Sequence, residues 1–257
     1  MGSLSDEMFG LDGRRALVTG AGRGLGRAMS VGLAEAGADV ALVARNAKEL
    51  KETARKVELT RSKAAIFPYD LRDIDGLPEL VSNVEASFEP IDILVNNAGM
   101  TRRGNAEEYQ VSDWQDVMQV NLTAAFVLCR ECGRRMVAAG KGKIINVGSL
   151  ASEIGIPFAA SYVASKSGLL GLTRALAVEW AGKGVNVNAI GPGYFETGLT
   201  RPLINDAVRG PKIDSKIPMG RWGKPDELKG AVVFLASRAS DYITGQILYV
   251  DGGWMAE

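Results

Sequence analysis

Seven short apolar runs recur along the chain, most of them followed by a longer stretch with helical spacing. This alternation constrains the fold more than any other feature. The runs are RALVT, DVALVA, AAIFPY, DILVN, KIINVG, VNVNAI and ILYV. Helical spacing fills residues 25–37, 47–60, 77–88, 113–139, 160–181 and 225–236. Strands that are apolar throughout need cover on both faces, and strands separated by helices pair in parallel. Right-handed crossovers then wind the chain into one doubly wound α/β sheet of about seven strands, with helices on both faces. No linker-like composition and no internal repeat interrupts the 257 residues, so residues 1–257 are expected to form a single domain. The one irregular stretch is 193–224, rich in Gly, Pro and charge. A connection that long reads as a substrate lid, centred on 193–220, rather than as a plain link.

A glycine cluster follows the first strand directly. In ALVTGAGRGLGRAM, Gly20, Gly24 and Gly26 open the first helix with the spacing G-x-x-x-G-x-G, not the commoner G-x-G-x-x-G. Glycine at that point lets the backbone turn tightly and bring N–H groups against a pyrophosphate, at the positive end of the helix. Ordinary turns also use glycine, so the placement between strand and helix carries the Rossmann-type reading. At the end of the second strand an acid would bind a ribose 2′-hydroxyl and repel a 2′-phosphate. Here LVARN puts Ala44 in that place and Arg45 next to it. Arg45 and Arg23 offer forked guanidinium groups that suit a phosphate, which favours NADP(H) and leaves NAD(H) open. The plain alternative for Arg45 is a solvated strand-end charge.

SYVASK places Tyr162 and Lys166 four residues apart on one helical face, in a chain with no histidine. A free phenol with a pKa near 10 is a poor base at neutral pH. A cation about 4 Å away contributes on the order of 4 kcal/mol at an effective dielectric near 20. Lys166 is therefore expected to lower the pKa of Tyr162, with burial opposing the shift. The pair would then do the proton work that histidine does elsewhere.

Taken in order, TGAGRGLG, NNAG at 96–99, Gly148 with Ser149, YVASK and GPG at 191–193 resemble the short-chain dehydrogenase/reductase family. The resemblance runs from Leu11 to Gly253. It implies that Tyr162 is the catalytic acid/base, that Lys166 lowers its pKa and holds the nicotinamide ribose, and that Ser149 polarises the substrate carbonyl. It also implies that Asn121 supports a water-mediated proton relay. The cofactor contacts it implies are Gly20, Arg23, Gly24, Leu25, Gly26, Arg45, Asp70 at the adenine, Leu71, Asn97, Ala98, Gly99, Tyr162, Lys166, Pro192, Gly193 and Thr197. Ala44 departs from the NAD-type acid. Family resemblance further implies a homotetramer, with the helices at 113–139 and 160–181 packed between subunits.

Within the family, NNAGMTRR, DLRDIDGLPEL, SEIG, PGYFET, IPMGRWGKP and SDYITGQILYVDGGW are similar to the sugar-acid branch that holds gluconate 5-dehydrogenase and 2-deoxy-gluconate 3-dehydrogenase. A carboxylate substrate needs a cation at the pocket, and Arg102 and Arg103 follow the fourth-strand loop. Glu153 is expected to accept from substrate hydroxyls, as part of a substrate set with Ser149 and Tyr162. Arg221 and Trp222 read as lid or subunit anchors. The alternative is a 3-oxoacyl-[acyl-carrier-protein] reductase, for which Arg130, Arg134, Arg135, Lys141 and Lys143 would form a docking patch. A non-catalytic NADP-binding regulator is the remote alternative, and such a protein has no need of Asn121, Ser149, Tyr162 and Lys166 together.

The remaining observations exclude more than they assign. Thirty basic and thirty acidic residues balance, so no nucleic-acid or anionic-membrane partner is indicated. MGSLSDEMFG is not a signal peptide and no apolar run reaches the roughly 18 residues of a membrane span, so a cytoplasmic protein with a small-molecule substrate is expected. Cys129 and Cys132 fall inside a helical pattern rather than at its start, which points to packing and not to a redox dithiol. With no histidine and only these two cysteines, no metal site is expected.

Overall fold

All seven strands form, and they pair in parallel in one sheet of order β3-β2-β1-β4-β5-β6-β7. The computed structural model describes residues 4–198 and 200–256. The first three residues and Glu257 of the expected domain, and Leu199 of the expected lid, lie outside the described residues. In chain order the elements are α1 (Leu4–Phe9), β1 (Arg15–Thr19), α2 (Gly24–Glu35), β2 (Asp39–Ala44), α3 (Ala47–Glu58), β3 (Ala64–Pro68), α4 (Leu77–Phe88) and β4 (Ile93–Asn96). Then come α5 (Val111–Met118), a π-helical turn (Gln119–Thr123), α6 (Ala124–Ala139), β5 (Gly142–Val147), α7 (Ala160–Trp180), β6 (Val185–Pro192), α8 (Arg201–Ile204), α9 (Arg209–Asp214), α10 (Lys229–Ala236) and β7 (Ile247–Val250).

Alternate residues of each central strand feed two separate apolar layers. Val18, Val40, Leu42, Val95 and Ile145 pack under Met29 and Leu33 of α2, Leu50 of α3 and Val232 of α10. Their neighbours Leu17, Ala41, Val43, Leu94 and Ile144 pack on the other face against Leu80 of α4, Leu128 of α6 and Leu176 of α7. Each fully buried leucine contributes about 1.5–3 kcal/mol, and both faces being covered explains why the strands carry no polar alternation. Asn46 starts α3 by accepting from the amides of Lys48 and Glu49 at 3.0 and 3.2 Å.

Three features depart from the expected helices, one before the first strand and two in the stretches 113–139 and 225–236. An additional short helix, α1, precedes the first strand. The single helix expected at 113–139 begins at Val111 and is divided by the π-helical turn. Residues 225–228 form a 3₁₀ turn before α10. No helix among the described residues is long and apolar enough to cross a membrane. The strand order reverses between β1 and β4, and a crevice opens there at the carboxyl ends of the strands.

Candidate active site

The crevice is floored by the glycine loop. Gly20 has φ +64°, and a Cβ there would lie 2.7 Å from Asn97 Nδ2. A Cβ on Gly26 would meet the Gly20 carbonyl oxygen, which presses strand and helix together. Thr19, which is not among the expected site residues, holds this junction. Its Oγ1 accepts from the amides of Asn97 and Ala98, both at 3.0 Å, while Asn97 Nδ2 donates back to the Thr19 carbonyl at 2.8 Å. Among the described residues the α2 N-terminus has no side-chain cap, which leaves the first amides of the helix for a ligand. Gly24 faces Thr197 across the opening, with 3.7 Å between a Cβ at Gly24 and the Thr197 methyl. The cradle therefore fits a dinucleotide pyrophosphate.

Around that cradle the expected cofactor residues separate by exposure. Arg45 is exposed at the end of β2, and Arg23 is 71% exposed with a loose 3.8 Å contact to Glu49. The Glu49 carboxylate also lies beside Gly22, a rim acid in the first turn of α3 that strand-end reasoning missed because it lies beyond the strand end. Asp70 is held low by its hydrogen bond to Arg72, with a smaller contribution from Arg45. Leu71 is buried in the apolar layer, whereas Leu25 is only partly covered. Pro192 ends β6, and Gly193 lies so close to Asp251 that a Cβ would approach its Cα to 2.7 Å. Gly99 faces Asn121 and Lys166.

Three elements bring the four expected catalytic residues together. The π-helical turn widens the helix locally and presents Asn121, which is 1% exposed. Its Oδ1 accepts from the Met100 amide at 2.8 Å, and its Nδ2 donates to the Met100 carbonyl at 2.9 Å and to Ser165 Oγ at 3.0 Å. Ser149 follows β5 and starts a 3₁₀ turn, accepting from Ala151 N at 3.2 Å. Tyr162 and Lys166 lie on α7, one turn apart. The Lys166 ammonium donates to the Val147 carbonyl at 2.6 Å and lies 5.8 Å from the centre of the Tyr162 ring.

The electrostatics correct one expectation. The net shift of Tyr162 is upward, because burial outweighs everything that lowers it. Burial pushes the phenol up, opposed by the neighbouring Ser149 hydroxyl and by Arg103, with Tyr194 adding to the rise. Burial also lowers Lys166 to about 8. The lysine is spent on a backbone carbonyl and is itself desolvated, so its charge is costly where it sits.

The candidate substrate residues also divide. Arg102 pairs with Asp113 at 2.9 Å and Asp116 at 2.8 Å, so it is a structural clamp on α5 and not a free anion site. Arg103 has no ion-pair partner among the described residues and acts electrostatically on Tyr162 and Tyr194. Glu153 turns toward Arg174, 3.4 Å away, with Tyr249 on the same side. In the expected lid, Arg221 grips Glu227 at 2.6 and 2.8 Å, and Trp222 is buried with its Nε1 donating to Asp214 at 2.6 Å. Each basic residue of the supposed docking patch lies within ion-pair distance of an acid, though not each of its own. Arg130 and Arg134 share Glu131, Arg135 takes Glu85, Lys141 takes Asp92 and Lys143 takes Asp241. Cys129 and Cys132 are free, fully buried thiols, and burial raises Cys129 to about 12.

Comparison with known proteins agrees with this arrangement. The family model described as enoyl-(acyl carrier protein) reductase matches residues 20–255. A 2-dehydro-3-deoxy-D-gluconate 5-dehydrogenase of Escherichia coli is 47% identical over 249 residues, 96% of this chain and 98% of that protein. A gluconate 5-dehydrogenase of Gluconobacter oxydans is 42% identical, covering 96% of each chain. The crystal structure of a gluconate 5-dehydrogenase from Burkholderia cenocepacia in complex with NADP and tartrate superposes with a TM-score of 0.94 at 42% identity, covering 98% of this chain and 99% of that one. With the ordered motifs, the parallel sheet and full-length similarity in agreement, the chain belongs to the short-chain dehydrogenase/reductase family.

Proposed function

We propose that the chain is an NADP(H)-dependent oxidoreductase that interconverts a secondary alcohol and a ketone on a sugar acid. The observation that carries the substrate class is Arg103, a guanidinium without an ion pair among the described residues whose charge acts on Tyr162, while its neighbour Arg102 is committed to α5. Full-length relatives at 42% and 47% identity that act on gluconate-type acids support the same class. The carrier-protein alternative loses part of its physical argument, because every residue of its basic patch is already in ion-pair contact, Arg130 and Arg134 with the same Glu131.

A nicotinamide dinucleotide seated on the Gly20–Gly26 cradle supplies the redox partner for the reacting carbon. Arg23 and Arg45 would hold its 2′-phosphate, and Asn97, Gly99 and Thr197 would border its nicotinamide half. Tyr162, neutral because burial raises it, is set to donate its proton to the substrate oxygen in the reductive direction. Ser149, hydroxyl to hydroxyl with Tyr162, holds that oxygen. Lys166, with a pKa of about 8, is poised to return the proton near neutral pH, and Asn121 closes the route to solvent. In oxidation each proton moves the opposite way.

Residues 1–257 would act as one catalytic domain, with 193–224 as a lid pinned by Arg221 and Trp222, and the assembly would be a homotetramer. The deciding assay reads NADPH oxidation with 5-keto-D-gluconate and 2-dehydro-3-deoxy-D-gluconate-type acids, and NADP⁺ reduction with D-gluconate, beside an acetoacetyl thioester. Thioester turnover without sugar-acid turnover would defeat the reading. Light scattering at one chain mass would defeat the tetramer.

A further inference from the structure

Tyr194 directly follows the turn at 191–193, at the carboxyl end of β6, where sheet folds of this kind take their ligands. Its ring is wedged between two tryptophans from different parts of the chain. Trp222 meets it edge-on, with centroids 5.1 Å apart at 69°, and Trp254 packs at 5.1 Å and 48°. Both tryptophans are themselves held. Trp222 donates to Asp214 and is 6% exposed, and the Lys216 ammonium lies 5.9 Å from the Trp254 ring centre. Aromatic pairs in these geometries add about 0.5–1.5 kcal/mol beyond burial, and a tyrosine has only two side-chain torsions to fix.

The hydroxyl of this fixed ring has no hydrogen-bond partner among the described residues. The ring lines a cavity of about 380 Å³ together with Met219, Arg221, Tyr249 and Asp251. Two of those polar groups are already engaged. Arg221 is bound by Glu227, and the Asp251 carboxylate accepts from the amides of Gly253 and Met255, both at 2.9 Å. Burial raises the Tyr194 phenol, and Arg103 opposes that rise, so the two side chains share one electrostatic neighbourhood with Tyr162.

We propose that Tyr194 is a specificity-determining residue whose hydroxyl, fixed by Trp222 and Trp254, hydrogen-bonds the polyhydroxy acid away from its reacting carbon. The inference rests on the sugar-acid reading and deepens it. Arg103 takes the charge, and Tyr194 tests for a polar group at a set distance from it. A rigid donor loses little freedom on binding, so its effect falls on affinity for the substrate rather than on the chemical step.

The test compares wild type with Tyr194→Phe, which keeps the ring and its tryptophan packing, using 5-keto-D-gluconate and NADPH. The expected result is a KM for the keto acid raised about tenfold, with kcat and the KM for NADPH within about twofold, as loss of one ground-state hydrogen bond predicts. Titration of tryptophan fluorescence with D-gluconate should show the same weakening in binding alone. Wild-type turnover with an unchanged KM and unchanged gluconate binding in the variant would overturn the role of Tyr194. Absence of any sugar-acid turnover or gluconate binding in the wild type would instead overturn the reading beneath it.

Discussion

At the open rim of the sheet, Arg23 and Arg45 keep their charges in water, whereas a few strands away Lys166 is 3% exposed and Tyr162 is desolvated. The rim charges cost little to hold and are screened by salt. Burial shifts both members of the pair, the lysine down to about 8 and the phenol up. Burial is thus the tuning force at the chemical end, while at the cofactor end recognition rests on solvated forks. The two ends should respond differently to mutation, pH and ionic strength.

The largest effect should come from the buried end. Tyr162→Phe removes the proton donor and should lower kcat by about 10³-fold or more, with NADPH binding by fluorescence titration unchanged. A variant retaining most of its rate would break the contrast outright. Lys166→Met should lower kcat by about 10²-fold. It should also stabilise the fold near pH 7, because a desolvated charge is removed. The unfolded lysine holds its proton until about 10.5 and the folded one releases it from about 8, so the unfolded state binds more protons between those values. Wild-type stability therefore rises with pH across that window, on account of this group, by about 3 kcal/mol at most. Urea unfolding midpoints of the two proteins should converge as pH rises from 8 to 10, and a constant gap would show that Lys166 is not desolvated.

Effects at the rim should be smaller and salt-dependent. Arg45→Ala should raise the KM for NADP⁺ about tenfold at low ionic strength, leave that for NAD⁺ nearly unchanged, and lose much of its effect above 0.5 M salt, where the Debye length is a few ångströms. Equal effects on both dinucleotides would sever Arg45 from the 2′-phosphate. The smallest effect lies with Cys129 and Cys132, which are buried with no ligand-facing opening. Ellman's reagent at pH 8 should leave both untouched in the native protein and modify both in denaturant.

Lys143 shows why single residues mislead in a sequence. It reads as part of a basic patch, yet its ammonium is 13% exposed and reaches Asp241, almost a hundred positions away. Arg102 and Arg103 are chemically identical neighbours, and only the position of α5 decides that the first is clamped and the second free. Tyr194 carried no sequence signal beyond following a glycine turn, because its partners Trp222 and Trp254 are brought to it by the lid and the C-terminal turn.

Local chemistry made much of this protein legible without coordinates. Apolar runs of strand length and helical spacing dictate the parallel sheet, and the glycines after β1 dictate a close backbone approach, because both follow from the geometry of a few consecutive residues. The spacing of Tyr162 and Lys166 was legible for the same reason, whereas Asn121 and Ser149 joined them only through the resemblance of the ordered motifs to the family. What tertiary structure alone decided was the solvent environment and the pairing of charges. The π-helical turn at Asn121 leaves no mark in hydrophobic spacing, since it depends on hydrogen bonds to Met100 and Ser165 from other elements. The direction of the Tyr162 shift depends on how much water the finished fold excludes. Desolvation is a property of the whole packed molecule, and no window of sequence contains it.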